Sequence, residues 1–269
     1  MPIRPPQITG RKPRIAVHKL SSCDGCQLSL LNAGEGLLAL AGMVDIVHFA
    51  EAGVVDEEAE ADVALVEGSI STPEERERIK GVRERSRFLI PIGACATAGG
   101  PQGLRNLADG AAWLAAAYPN PEQVSALPTA TPIADHVPVD LQLRGCPVNT
   151  YQVLGALRDL LAGAAPLEER EKLCMECKRR NYVCVLVAKG EPCLGPVTAT
   201  GCGALCPGLG RDCYGCYGPA ECTNTASLTG WLAARGMDAE AIAQRFLYQN
   251  SAAPLFREAA ERCRGKGQP

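Results

Sequence analysis

Apolar residues recur along the first half of the chain in two alternating rhythms. Short aliphatic runs at 15–20, 44–50, 62–66, 88–92 and 137–143 read as strands. Longer stretches at 27–41, 73–86, 104–117 and 151–162 carry their apolar positions at helical spacing. The helix that begins at Pro73 has the clearest start signal. Ser71 and Thr72 offer hydroxyl caps, proline occupies the first turn, and Glu74 and Glu75 stand at the positive end of the helix dipole. This alternation predicts an α/β domain with a parallel sheet covered by helices, close to a doubly wound arrangement. Such sheets bind their ligands beyond the carboxyl ends of the strands.

The rhythm fails after residue 162. Gly163-Ala164-Ala165-Pro166 leads into an acidic run, Glu168-Glu169-Arg170-Glu171, and a domain boundary is expected there, dividing the chain into 1–165 and 166–269. The second part opens with almost no sustained periodicity, so bound metal is expected to supply much of its folding energy. Helical patterning returns over 226–248, where Leu228, Trp231, Leu232, Ile242, Phe246 and Leu247 read as core residues. Beyond that the tail reads as polar, with Cys263 alone in it.

Composition narrows the function. With 46% apolar and 21% charged residues, the 269-residue chain has the balance of a globular protein, and no apolar run reaches membrane-spanning length. A net charge of −3 and 4% aromatic residues give no footprint for nucleic acid. Cysteine is the unusual component: nine of the fourteen lie between Cys174 and Cys222. They fall into Cys174, Cys177, Cys184 and Cys193, then Cys202, Cys206, Cys213 and Cys216, with Cys222 left over.

Disulfides, structural zinc and iron–sulfur clusters compete for these thiols. Met1-Pro-Ile-Arg-Pro-Pro leads into basic residues without the apolar stretch of a secretory signal, so a reducing compartment is expected and disulfides are disfavoured. The two C-x2-C pairs, 174/177 and 213/216, suit zinc ribbons as well as clusters.

The cysteines outside this stretch add to the picture. Cys23 and Cys26 follow the first strand, Cys95 follows the fourth and Cys146 follows 137–143, so all four are expected at one sheet edge. Such convergence points to one four-thiolate site; the alternative is that Cys95 and Cys146 are small buried hydrophobes. Gly25, Gly93, Gly99 and Gly100 flank these positions. Glu67 ends the third strand, and its carboxylate is expected at the same edge, either tying loop backbone or serving the site. His18, His48 and His136 lack metal-ligand spacing, and no dinucleotide fingerprint is present. Lys178-Arg179-Arg180 beside Cys177 reads as a positive patch for a partner, or as a solvated charge run.

Taken in order, C-x-G-C after the first strand, V-E-G-S after the third, G-A-C-A-T-A-G-G, R-G-C-P and the cysteine-rich tail resemble the small, electron-transferring subunit of [NiFe]-hydrogenases. The resemblance runs from about Arg14 to Cys216 and is nearest the delta subunit of cytoplasmic NAD(P)-linked hydrogenases, the sulfhydrogenases. It implies a flavodoxin-like domain followed by a mostly irregular iron–sulfur domain with a helical C-terminus. It also implies three [4Fe-4S] clusters. Cys23, Cys26, Cys95 and Cys146 would hold the proximal one, Cys174, Cys177, Cys184 and Cys193 the distal, and Cys202, Cys206, Cys213 and Cys216 the medial. Many relatives carry histidine where Cys174 stands and proline in place of the fourth medial cysteine, so this chain is expected to run at lower potential.

The implied partners are a [NiFe] large subunit, which activates H2, a flavin and NAD(P)-binding diaphorase subunit, and a ferredoxin-like iron–sulfur subunit, all in the cytoplasm. A related small subunit of respiratory complex I carries adjacent cysteines in its first motif and is a poorer match. A zinc-stapled interaction module, or a hydrogenase whose acceptor is ferredoxin or a deazaflavin, are the alternatives.

Overall fold

The computed structural model describes residues 10–167 and 171–265. Four parallel strands, β1 (Arg14–Lys19), β2 (Asp45–Phe49), β3 (Ala61–Glu67) and β4 (Ser86–Ile92), form a sheet in the order β2-β1-β3-β4. All seven residues of β3 are buried, as a central strand covered on both faces must be. On one face Val17, Val63, Leu65 and Ile90 pack under α1 (Gly25–Leu31), α2 (Glu35–Met43) and α6 (Thr150–Leu161). On the other, Ala64, Val66 and Leu89 pack under α3 (Pro73–Glu84), through Ile79 and Val82. Thr72 and Glu75 form the capping box that starts α3. Two further helices, α4 (Gly93–Ala98) and α5 (Gly110–Ala117), follow β4.

Three expected elements differ. The stretch 137–143 is not a strand: it forms one isolated parallel bridge with β4, Ile92 with Leu143, beside a lone backbone bond from Asp140 N–H to the Leu89 carbonyl. The ladder fails because the Leu89 N–H is taken by the Asp140 carboxylate at 2.8 Å, and Pro91 has no N–H to donate. The helix expected at 27–41 breaks into α1 and α2 at Gly34, whose φ of 56° leaves the helical region. The segment 104–117 is a 3-10 turn over Gly100–Leu107 and then α5, restarted by the Asp109 carboxylate accepting from Ala111 and Ala112 N–H.

In the cysteine-rich region the helices are short: α7 (Leu173–Arg179), α8 (Val185–Ala188) and α9 (Leu205–Gly208). They rest on α10 (Thr225–Ala233), α11 (Ala239–Leu247) and α12 (Pro254–Cys263), whose Leu228, Phe246 and Phe256 close a second core with Leu194 and Val197. The expected polar tail is therefore helix α12, and Cys263 sits on its inner side. Its charged outer face, Arg257, Glu258, Glu261 and Arg262, hid the Phe256, Ala259 and Ala260 stripe. The acidic run Glu168-Glu169-Arg170 and the first nine residues lie outside the described residues. Among the described residues no helix is long and apolar enough to cross a membrane.

Candidate metal centres

Cys23, Cys26 and Cys95 are placed by the turns that follow β1 and β4, and Cys146 by the loop after 137–143. Cys23 and Cys26 flank the entry to α1, where Asp24 adopts φ 65° and its carboxylate accepts from Lys19 Nζ at 2.7 Å. Cys95 lies in α4, immediately after β4, and the Ala94 N–H donates to the Gly145 carbonyl at 2.6 Å, drawing the Cys146 loop alongside. Glycines hold the space open. A methyl group at position 25 would lie 3.4 Å from Cys23 Sγ and 3.7 Å from Pro147; one at position 100 would lie 2.7 Å from Cys95 Sγ; one at position 93 would collide with Cys26 Sγ. Gly93 and Gly100 also have positive φ, 86° and 52°.

These four thiols share one electrostatic environment. Burial raises the Cys146 thiol, pushes Cys26 well up and Cys95 to about 12, and repulsion from Cys146, Cys95 and Cys23 thiolates adds to it. A cation bound among them reverses that balance, as metal does for a coordinating thiol. Glu67 contributes to the same repulsion. Its carboxylate is 2% exposed at the end of β3, with Oε1 accepting from Cys26 N–H at 3.0 Å and Oε2 from Gln27 N–H at 3.1 Å. Of the two roles anticipated for Glu67, this contact is the tie to loop backbone, and that backbone belongs to the candidate ligand Cys26.

The tail cysteines gather in two groups. Cys174 and Cys177 lie one turn apart on α7, Cys184 caps α8, and Cys193 lies in the loop beyond. A methyl group at Gly195 would sit 3.4 Å from Cys193 Sγ and 3.6 Å from Cys174 Sγ. Burial first, then charges that include Cys193 and Cys184, push Cys174 and Cys177 to about 11. In the second group Cys202 feels Cys206, and Cys216, pushed up to about 12 by burial, feels both Cys202 and Cys206. Cys213, deeply buried, is raised by that burial and then by Cys193 and Cys216.

The groups adjoin in a fixed order. The 202–216 group meets the strand-end group where the charge of Cys146 reaches Cys216 and the Tyr217 ring packs on Gly145. It meets the 174–193 group where the Cys213 N–H donates to Cys193 Sγ at 3.2 Å. Cys222 is exposed at φ 53°, and Cys263 lies 3.9 Å from Thr229 Oγ1. Among the described residues no three Cys, His, Asp or Glu side chains close around a point that one ion would fill. A four-iron cube is a larger body than a zinc ion, and its ligands stand further apart.

The histidines have no part in these groups. His18 and His48 stack at 4.5 Å, and burial, then the His48 charge, lowers His18 to about 3. His136 Nε2 pairs with Thr131 Oγ1 at 2.7 Å.

Residues 23–160 match the family described as NADH ubiquinone oxidoreductase, 20 Kd subunit. Sulfhydrogenase 2 subunit delta of Pyrococcus furiosus is 38% identical over 215 residues, 80% of this chain and 90% of that protein. The chain belongs to this family, among the small subunits of hydrogenases. The NAD-reducing hydrogenase HoxS subunit delta of Cupriavidus necator is 30% identical over 56% of this chain and 80% of its own length. A subunit of the F420-non-reducing hydrogenase of Methanococcus voltae is 31% identical over 87% of this chain and 92% of that one. Among solved structures, an NAD+-reducing [NiFe]-hydrogenase chain aligns with TM-score 0.54 and 31% identity, covering 59% of this chain and 96% of that chain. This hydrogenase small subunit is therefore part of an oxidoreductase, with the α/β fold that its strand pattern predicts.

Proposed function

We propose that this small subunit carries electrons along three [4Fe-4S] clusters. Cys23, Cys26, Cys95 and Cys146 would hold the proximal cluster on the unit 1–165. Cys202, Cys206, Cys213 and Cys216 would hold the medial cluster, and Cys174, Cys177, Cys184 and Cys193 the distal, on the unit 166–269. When bound, the clusters supply reversible one-electron chemistry. The observation that carries the reading is the spatial series of the three thiol groups, joined at Cys146/Cys216 and at Cys193/Cys213.

The chain's own residues set the conditions for that chemistry. Burial of Cys26 and Cys213 excludes water from their sulfurs. The N–H groups of Cys213 and Gly215 point at sulfur, at 3.2 and 3.3 Å, and such donors tune potential. Glu67 holds the Cys26 turn and places negative charge beside the first site. Cys206 is the neighbour whose charge reaches both Cys202 and Cys216, which favours it over Cys222 as fourth medial ligand.

The partners of this reading are a [NiFe] large subunit next to the strand-end site and, at the other end, a flavin and NAD(P)-binding diaphorase with a ferredoxin-like subunit, in the cytoplasm. The name of the NAD-reducing relative supports the nicotinamide link. Anaerobically isolated complex should contain about twelve iron atoms per small subunit in excess of the other subunits' clusters. Colourless chain with bound zinc would overturn the reading.

A further inference from the structure

Arg245 lies on α11, three residues after Ile242 and beside Phe246, on the helix whose apolar side closes the second core. Its side chain is mostly buried, at 23% exposed, and forms an ion pair with Asp212, which is 13% exposed. Asp212 and Tyr214 flank Cys213 in the chain, and the Arg245 guanidinium carbon stands 5.7 Å from the centre of the Tyr214 ring. Arg245 is thus fastened to both neighbours of Cys213, whose N–H donates to Cys193 Sγ at 3.2 Å. Burial raises the Cys193 thiol, and the Arg245 charge is among the influences that oppose it. In return, burial lowers the Arg245 pKa, and the charges of Cys193 and then Glu191 oppose that.

A tie between loop and helix does not need a guanidinium here. An ion pair this far from water is commonly no more stabilising than apolar residues of the same volume. Arg245 Nε is also buried with no hydrogen-bond partner among the described residues, a state that protein interiors seldom leave to a donor. A guanidinium stays charged even where burial lowers its pKa, so both its charge and this N–H face the thiolate group on which it acts. The other cations near the 174–193 group differ in kind. Lys178, which is exposed, and Lys172, which is half-buried, act on Cys174. Salt screens exposed charges, and a buried one much less.

We propose that Arg245, held by Asp212, is the buried cation that sets the reduction potential of the centre held by Cys174, Cys177, Cys184 and Cys193. The inference rests on the relay reading above. Reduction adds one negative charge to that centre, so a cation beside it favours the reduced form and raises the potential, while a carboxylate lowers it. Arg245 and Asp212 therefore act with opposite sign. The guanidinium offsets the charge of four thiolates and keeps this centre within reach of its neighbours' potentials.

The test is a redox titration of the anaerobic complex of small and large subunits, followed by electron paramagnetic resonance, with iron content measured beside it. Cys184→Ala identifies the signal of the 174–193 centre as the one it removes. Arg245→Gln should make that centre harder to reduce, lowering its reduced-to-oxidised ratio at a fixed ambient potential about tenfold, which is ~59 mV for one electron. Asp212→Asn should move the same signal the other way, and Arg245→Lys should return most of the wild-type value. The Arg245→Gln shift should persist at high salt, whereas the smaller shift of Lys178→Gln should fade. Unmoved potentials in Arg245→Gln and Asp212→Asn, or shifts of the same sign in both, would overturn the proposal and leave Arg245 as a structural tie. Where Arg245→Gln loses iron, the sign of the Asp212→Asn shift decides. Wild-type complex lacking iron in the tail would instead sink the relay reading, which separates the two failures.

Discussion

The sheet unit and the cysteine-rich region place their thiols by opposite means. In the sheet unit, regular structure comes first: Val63, Leu65, Ile90 and Ile92 are at most 1% exposed, and Cys23, Cys26 and Cys95 occur where β1 and β4 stop. The site there is a by-product of topology, since parallel strands all end on the same side. In the cysteine-rich region, regular structure follows the sites. Between Cys193 and Cys216 the one helix is four residues long, and the chain turns at Gly201, Gly203, Gly210 and Gly215, all at positive φ. Those loops gain rigidity from below, where Phe246 and Phe256 pack at 5.4 Å, and from whatever the thiols hold.

Removing the metal separates the two regions most sharply. Metal–thiolate binding is worth on the order of 10 kcal/mol per site. Oxidative loss of iron should therefore open 174–216 to proteolysis while 10–165 persists as a resistant fragment. Equal resistance of both regions would show that the loops stand without their clusters.

Phe256→Ala attacks the support beneath the loops. Phe256 is fully buried, and a methyl at Gly215, between Cys213 and Cys216, would lie 3.5 Å from its ring. Truncation should cost about 4 kcal/mol. In chemical denaturation the C-terminal transition should move and the sheet unit's should not.

Gly93→Ala tests the other side of the comparison. The new methyl meets Cys26 Sγ at a residue with φ 86°, so about 3 kcal/mol of strain and displacement is expected, together with loss of strand-end iron. Gly42→Ala, where nothing lies within 4 Å, should change stability by less than about 1 kcal/mol.

A pH-dependent effect is expected from the His18–His48 stack. Burial is the first cause of the low His18 value, and the His48, Arg78 and Arg85 charges add to it. The folded state therefore refuses a proton that the unfolded chain accepts below about pH 6.5. Stability falls as pH drops from about 6.5 toward 3, and at pH 5 the loss from this group is about 2 kcal/mol. His18→Phe keeps a stacked ring without the titration. Denaturation midpoints of variant and wild type should diverge between pH 7 and pH 5, the wild type losing more; parallel curves would show that the pair is not responsible.

By itself the sequence determined the strand–helix alternation, the capping box at Thr72 and Glu75, and the family. These are local or order-encoded signals: a period, a spacing, a run of motifs. It also brought Cys23, Cys26 and Cys95 to one edge, because strand ends in a parallel sheet need no contact map; Cys146 joins them through the loop held by the Ala94 N–H on the Gly145 carbonyl, not through a strand end. Only the tertiary structure decided that 137–143 fails as a strand, since the competitor for the Leu89 N–H is a carboxylate 51 residues away. It alone decided that the Cys263 tail is a buried helix, because four charged residues on its outer face mask a narrow apolar stripe that matters only once Phe246 is opposite. And it alone decided how the thiol groups meet, at Cys146/Cys216 and Cys193/Cys213, because loops built on positive-φ glycines carry no period from which their path can be read.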